Sequence, residues 1–316
     1  MFQWNFGSRS IPLGERTLVM GVLNVTPDSF SDGGLYFSPQ AAIDHGLALL
    51  DEGADILDIG GESTRPGTPT ATPESYAALS LPPVSPETEL ARVLPVIEAI
   101  KRLRPSAILS IDTYKAAVAR RAVLAGAEIV NDVSGFLWDA DMSRTIRELS
   151  CGAILMHTRG LPHQWRGLPP APDIVALVHQ ELYARIASAL AGGIHRASLV
   201  IDPGFGFGKN RDENFSLLAH FAQFQTLGFP LLAALSRKGF LASAPAAERS
   251  GAPYLPPLAD AGAANSGLPP APSSRDTATL AATVAAALSG AHIVRVHAVR
   301  PIVAALAIAD AILRAK

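Results

Sequence analysis

Acidic, amide and cationic side chains recur in this chain at the points where short apolar runs break. Asn24, Asp28 and Asp32 follow the run Leu18 to Val25, which Thr26, Pro27, Gly33 and Gly34 cannot continue. Thr64, Arg65 and Pro66 lie inside the loop Gly60 to Gly67, after Ile56 to Ile59. Asp112 ends Ala107 to Ile111, and Asn131 and Asp132 end the run that starts at Glu128. Further on come Met156 to Gly160, the glycine-rich Asp202 to Lys209 with Phe207, Ser236-Arg237-Lys238, and Arg295 with His297. Each has an ordinary structural reading. A carboxylate at such a place can cap the next helix or fix a turn, as Asp112, Asp132 and Asp202 could. Asn131 could bond backbone groups, His297 could be a core histidine, and Arg65 and Lys238 could be solvated loop charges. Such clustering after every apolar run is improbable by chance, and it points to one working rim. Gly204 to Lys209 suggests a phosphate cradle, but it has one residue too few before the lysine and Asn210 in place of Ser or Thr.

The elements that must position these residues alternate. Candidate strands are Leu18 to Val25, Ile56 to Ile59, Ala107 to Ile111, Glu128 to Asn131, Ala153 to Met156, Ser198 to Ile201, Leu231 to Leu235 and His292 to Val296. Between them, apolar spacings of three and four predict helices over Pro39 to Glu52, Thr88 to Leu103, Lys115 to Ala125, Ile174 to Leu190 and Thr277 to Ser289, with Pro301 to Arg314 closing the chain. Strands each followed by a helix predict a (β/α)₈ TIM barrel, whose active site is built on the loops after the strands. A doubly wound sheet is the alternative. Trp4 to Arg16 is expected to form an N-terminal hairpin plugging the opposite end. Residues 1–316 read as a single domain with two inserted loops, about 68–86 and 243–274, whose Pro, Ala, Gly and Ser content predicts mobile segments.

Composition excludes several classes. The 316 residues carry 26 basic and 28 acidic side chains, a net charge of −2, with no run of Lys or Arg, so no nucleic-acid partner is expected. The most apolar tracts are broken by Ser289 and Gly290 and by Asp310, short of the ~20 apolar residues a membrane helix needs. No secretory signal is read at the start, and the expected location is cytoplasmic. The one cysteine, Cys151, permits no internal disulfide and reads as a small core residue. Asn24-Val25-Thr26 and Asn214-Phe215-Ser216 match glycosylation acceptors, which carry no meaning in a cytoplasmic chain.

Taken together, Gly21 to Gly33, Gly60 to Gly67, Asp202 to Lys209, Ser236 to Lys238 and Arg295 to His297 resemble the dihydropteroate synthases, pterin-binding enzymes of folate biosynthesis. The resemblance runs from about Val19 to Val299. It implies a (β/α)₈ barrel, a homodimer, Mg²⁺, and a transferase joining 4-aminobenzoate to 6-hydroxymethyl-7,8-dihydropterin diphosphate with release of diphosphate. Carried over residue by residue, it gives Asp112, Asn131, Asp202 and Lys238 to the pterin, and Phe30, Thr64, Pro66 and Phe207 to the aminobenzoate. Arg295 and His297 fall to the diphosphate, Asn24 to the metal, and Asp32 and Arg65, with Lys238, to catalysis. Sulfonamides are expected to compete with 4-aminobenzoate.

One departure stands out. The family commonly has Asp or Asn after the last histidine, and this chain has Ala298, which puts a polar contact near the diphosphate in question. Two other functions share the fold or the site: a corrinoid-linked methyltransferase, which has no use for Ser63 to Pro66 or Asp32, and a noncatalytic pterin-binding paralogue.

Overall fold

In this computed structural model, residues 1–26, 39–64, 68, 70, 72, 83–242 and 274–315 are described. The core strands are β3 (Leu18–Asn24), β4 (Ile56–Gly60), β5 (Ile108–Asp112), β6 (Ile129–Asp132), β7 (Gly152–Met156), β8 (Leu199–Asp202), β9 (Leu232–Ala233) and β10 (Ile293–Val296). They form one parallel sheet in the order β8-β7-β6-β5-β4-β3-β10-β9, and a single parallel bridge between Ile201 and Leu231 brings its two ends together. The sheet is therefore a nearly closed barrel, as the strand and helix alternation predicts.

Side chains alternate across each strand, so every second residue faces the barrel axis. At the amino-terminal end these inward residues are apolar: Met20, Ile56, Ile108, Ile129, Ile154, Val200, Leu232 and Ile293, one from each strand. A hairpin of β1 (Phe2–Phe6) and β2 (Arg9–Leu13) covers that end and sinks Trp4, Phe6 and Leu13 into the same cluster. The Trp4 indole N–H donates to the Ser198 carbonyl at 2.9 Å, which satisfies its polar atom in an apolar floor. Two residues further along the strands the inward layer turns polar, with Asp58, Ser110, Asn131, Asp202 and Arg295, and Asp112 stands two residues beyond Ser110, in register with Asn131.

The described helices are α1 (Pro39–Asp51), α2 (Pro86–Leu103), α3 (Ala116–Leu124), α4 (Met142–Leu149), α5 (Ile174–Ala191), α6 (Arg211–Ala219), α7 (Gly239–Ala242), α8 (Ser274–Leu288) and α9 (Val299–Arg314). Several differ from the sequence expectation at their edges. Helix α2 starts at Pro86, where Ser85 caps it by accepting from the Thr88 amide at 3.2 Å. Strand β9 is shorter than Leu231 to Leu235, because the Leu231 amide donates to His292 Nδ1 at 3.1 Å instead of a ladder carbonyl and the Leu235 carbonyl accepts from the Lys238 amide in a turn. Of the first inserted stretch, Thr70 and Thr72 are buried and the Val84 carbonyl accepts from Lys115 at 2.8 Å. Most of both stretches lies outside the described residues.

Candidate active site

The polar layer is one connected network. Oδ2 of Asp58, a fully buried residue, accepts from Arg295 Nε at 2.6 Å and from Asn131 Nδ2 at 2.9 Å. Arg295 Nη2 then donates to Asp112 Oδ2 at 2.6 Å. Side chains from β4, β5, β6 and β10 are thereby tied together across the barrel, and the sequence analysis had singled out all of them except Asp58. Its inward parity with Ile56 could have drawn attention to it, but only its register with Ser110 of β5 and its partners show that it is captured.

Charge follows geometry. Burial pushes the Asp112 carboxyl up to about 7; Arg295 opposes this, and the Asp58 charge adds to it. Burial likewise lifts Asp202 to about 6, against the Gly204 amide and the positive charge of Lys238. Arg295 is driven the other way: burial works against its charge, but Asp58 and Asp112 outweigh that and hold its pKa above the ordinary value. Lys238 is lowered to about 8, chiefly by burial.

The strand-eight loop is built rigidly around Asp202. Its Oδ1 accepts from the Gly204 amide at 2.7 Å, and Asn214 Oδ1 accepts from Gly206 at 2.6 Å. Lys209 Nζ donates inward to the Gly204 carbonyl at 2.7 Å, with His157 and Phe207 carbonyls at 3.3 and 3.2 Å. Gly204 has φ of +71°, and a Cβ there would lie 1.9 Å from the His157 carbonyl oxygen, so no other residue fits. This loop carries Phe207 to a place where Lys238 Nζ sits 4.0 Å from its ring centroid and Trp165 meets it edge-on. Arg237, at φ of +58°, is held in its strained conformation by Thr279 and Asp276 and turns Lys238 toward this ring. Asn214 is buried with its amide engaged, in keeping with its dismissal as a glycosylation acceptor.

His297 is held by Ser236, whose Oγ accepts from the His297 backbone amide at 3.2 Å and lies 3.0 Å from Nδ1. Burial first, then the neighbouring Arg295, pushes its imidazole down to about 3, so it is neutral. Asp132 turns out to be a turn former: it faces away from the barrel axis and accepts from the Ser134 and Phe136 amides at 2.7 and 3.2 Å. Thr64 is half-buried beyond β4, and Asn24 is half-buried at the end of β3. Asp28, Phe30, Asp32, Arg65 and Pro66 lie outside the described residues.

Sequence reasoning also missed a second buried cluster at the root of the strand-four loop. Lys115 Nζ donates to Glu62 Oε2 at 2.7 Å and to Glu89 Oε2 at 2.6 Å, and Tyr114 bonds Glu62 as well. A lysine opening a helix reads as solvated, and only the tertiary contact reveals its burial.

Residues 20–297 match the family described as Pterin binding enzyme. The dihydropteroate synthase of Escherichia coli (strain K12) is 39% identical over 94% of this chain and 92% of its own. The chain belongs to the dihydropteroate synthase family of pterin-binding enzymes. Among solved structures, Xanthomonas albilineans dihydropteroate synthase with 4-aminobenzoic acid superposes with a TM-score of 0.79 at 38% identity, covering 99% of each chain. The same enzyme in complex with 7,8-dihydropteroate gives 0.76 at 38% identity over 98% of each. Membership in this family makes the protein a transferase on the TIM-barrel fold, with the hairpin at the floor and the polar network at the carboxyl rim where the family's chemistry belongs.

Proposed function

We propose that the polar rim of this chain carries out the dihydropteroate synthase reaction, with Asp112, Asn131, Asp202 and Lys238 receiving the pterin. The observation that carries the reading is the convergence of acceptors from β5, β6 and β8 beside the fixed cation of Arg295. A pterin offers adjacent N–H donors, and a carboxylate can accept two of them as it does from an arginine fork. Asp202 Oδ2 makes no hydrogen bond to the described residues and is the acceptor for that edge, while Lys238 approaches from the other side.

The bond from the pterin methylene to oxygen breaks, its electron pair leaves with the diphosphate, and the aniline nitrogen of 4-aminobenzoate attacks the cation-like methylene and then sheds a proton. Arg295 has N–H groups to spare after its two ion pairs, and His297, paired through Nδ1 with Ser236 Oγ, would present Nε2–H in the tautomer in which Ser236 is the donor. Both stabilise the charge that grows on the leaving group. Asp32 and Arg65 are assigned to closing the site, and Phe30, Thr64, Pro66 and Phe207 to the aminobenzoate, on the match of their motifs.

No group of three or more His, Cys, Asp or Glu among the described residues could hold a metal. Asn24 offers one amide oxygen, 3.8 Å from where a Cβ on Gly60 would sit. That would suit a Mg²⁺ carried by the diphosphate, to which Asn24 would supply one oxygen. Bound there, it would neutralise leaving-group charge.

The reading keeps the chain as one domain, because hairpin and barrel share a core, and as a homodimer, supported by the apolar outer face of α9. No described helix is long and apolar enough to cross a membrane. A cytoplasmic location suits substrates whose anionic groups do not cross membranes unaided. The deciding experiment is a coupled assay for diphosphate. Release should require both pterin diphosphate and 4-aminobenzoate and yield dihydropteroate in equal amount; pterin binding with no release would mark a noncatalytic paralogue.

A further inference from the structure

We infer that Asp58 is a positioning residue that sets the hydrogen-bonding polarity of the pterin site, by forcing Asn131 to present its amide oxygen, and Arg295 its unpaired N–H edge, to the ligand. The inference rests on the reading of this rim as a pterin site. Exposure separates the holder from the held: Asp58 is 0% exposed, whereas Asn131 is 5% and the side chains of Arg295 and Asp112 are 18% and 17%. Asp58 is out of a ligand's reach while its partners border the cavity. One oxygen does the work. Oδ2 takes both Arg295 Nε and Asn131 Nδ2, while Oδ1 and the neighbouring Ser110 Oγ are buried with no partner among the described residues.

The consequence is chemical. A primary amide has one oxygen acceptor and one NH₂ donor group, pointing opposite ways. A buried carboxylate can only accept, so it captures the NH₂ group of Asn131 and turns the oxygen to the cavity. The same carboxylate takes Nε of Arg295, which fixes the plane of the guanidinium and leaves Nη1 and one Nη2 hydrogen for an anion. Asp112, Asp202 and Asn131 then all present acceptors, a wall matched to a ligand edge made of donors. If Asp58 only balanced the Arg295 charge, the orientation of Asn131 would not depend on it.

Two variants separate these roles. Asp58→Asn removes the charge but can keep an amide oxygen in the place of Oδ2, with its NH₂ turned to Ser110 Oγ, so Asn131 stays oriented and binding of 6-hydroxymethylpterin, measured by calorimetry, should stay within about 3-fold of the parent. Asp58→Ala leaves no acceptor there, frees the Asn131 amide to turn either way, and should weaken the same binding about 10- to 100-fold, the scale of an unmet buried hydrogen bond. The diphosphate ester should lose more affinity than the free pterin in Asp58→Ala, through Arg295. A folded Asp58→Ala that binds like the parent, or a folded Asp58→Asn that loses as much as Asp58→Ala, overturns the inference. Should either variant fail to fold, a neutron structure of the parent decides: deuterons on Asn131 pointing at Asp58 are expected, and deuterons pointing into the cavity refute it. A parent that binds no pterin would instead sink the functional reading, while the neutron result would still judge Asp58.

Discussion

Asp112 and Asp202 are held partly protonated near neutral pH by burial, at about 7 and about 6, which Arg295 beside the first and the Gly204 amide and Lys238 beside the second offset only in part. Both values lie above the unfolded carboxylate value of 3.8, so their contribution to folding is full in acid and is lost as pH rises through the folded values. A pterin reverses this. Its N–H donors favour the charged carboxylates, so between about pH 6 and 7 binding should expel protons. Calorimetry in two buffers of different ionisation enthalpy reads this directly: heats should differ by the buffer's own heat times the protons released, and identical heats would show that the carboxylates do not accept from the ligand. Lys238 bounds the other side, since it loses its charge above about 8 and affinity should fall there. At this scale the sequence was informative where a polar residue ends a strand, as with Asp112, Asn131 and Asp202. It was not where a charge is buried mid-strand or at a helix start, as with Asp58 and Lys115. Nothing in residue type separates a captured carboxylate or ammonium from a solvated one; only partners such as Arg295, Asn131, Glu62 and Glu89 do.

Elements were legible in proportion to their apolar periodicity. Helix α5 spans Ile174–Ala191 against an expected Ile174 to Leu190, with Val175, Val178, Leu182, Ile186 and Ala189 all buried. Helices α4 and α6 were not read, because each is short and buries only three side chains, several of them polar: Thr145 in the first, Glu213 and Asn214 in the second. The departure at Ala298 acquires a concrete meaning at this scale. Ala298 occupies the N-cap of α9 with extended backbone and no side-chain bond, but the amides a cap would serve are already accounted for: Arg300 donates to Glu52 Oε2 at 3.3 Å, and Pro301 has no N–H. Ala298→Asn should therefore change stability by less than about 0.5 kcal/mol, read by denaturant unfolding with an unchanged m value. The new amide lies next to His297 in the chain, so the variant should leave pterin affinity unaltered while changing that of the diphosphate ester. A gain of more than about 1 kcal/mol would mean that the new side chain takes the Arg300 amide from Glu52.

Over the whole molecule, the barrel was legible from sequence because eight apolar runs with turn signals admit few closures, whereas what covers its outside was not. Helix α9 shows why. Its inner side, Ile302, Leu306 and Ala309, packs on the barrel, and its one acidic residue, Asp310, turns inward to bond Thr17 at 2.8 Å. The outer side is left to Ala304, Ala307, Ile308, Ala311 and Ile312, with Ile308 64% and Ile312 46% exposed. A helix apolar on both sides is ordinarily covered on both, and here a second copy of the chain is the proposed cover. Light scattering of the parent at micromolar concentration should therefore give twice the 33.1 kDa chain mass. Ile308→Glu with Ile312→Glu places two charges where apolar groups would meet and should yield monomer. These positions lie at least about 15 Å along the helix from His297, by helical rise, so diphosphate release per chain should survive in the monomer if each barrel holds a complete site. A parent that scatters as a monomer would remove the dimer. A double variant that stays dimeric would move the interface to another face.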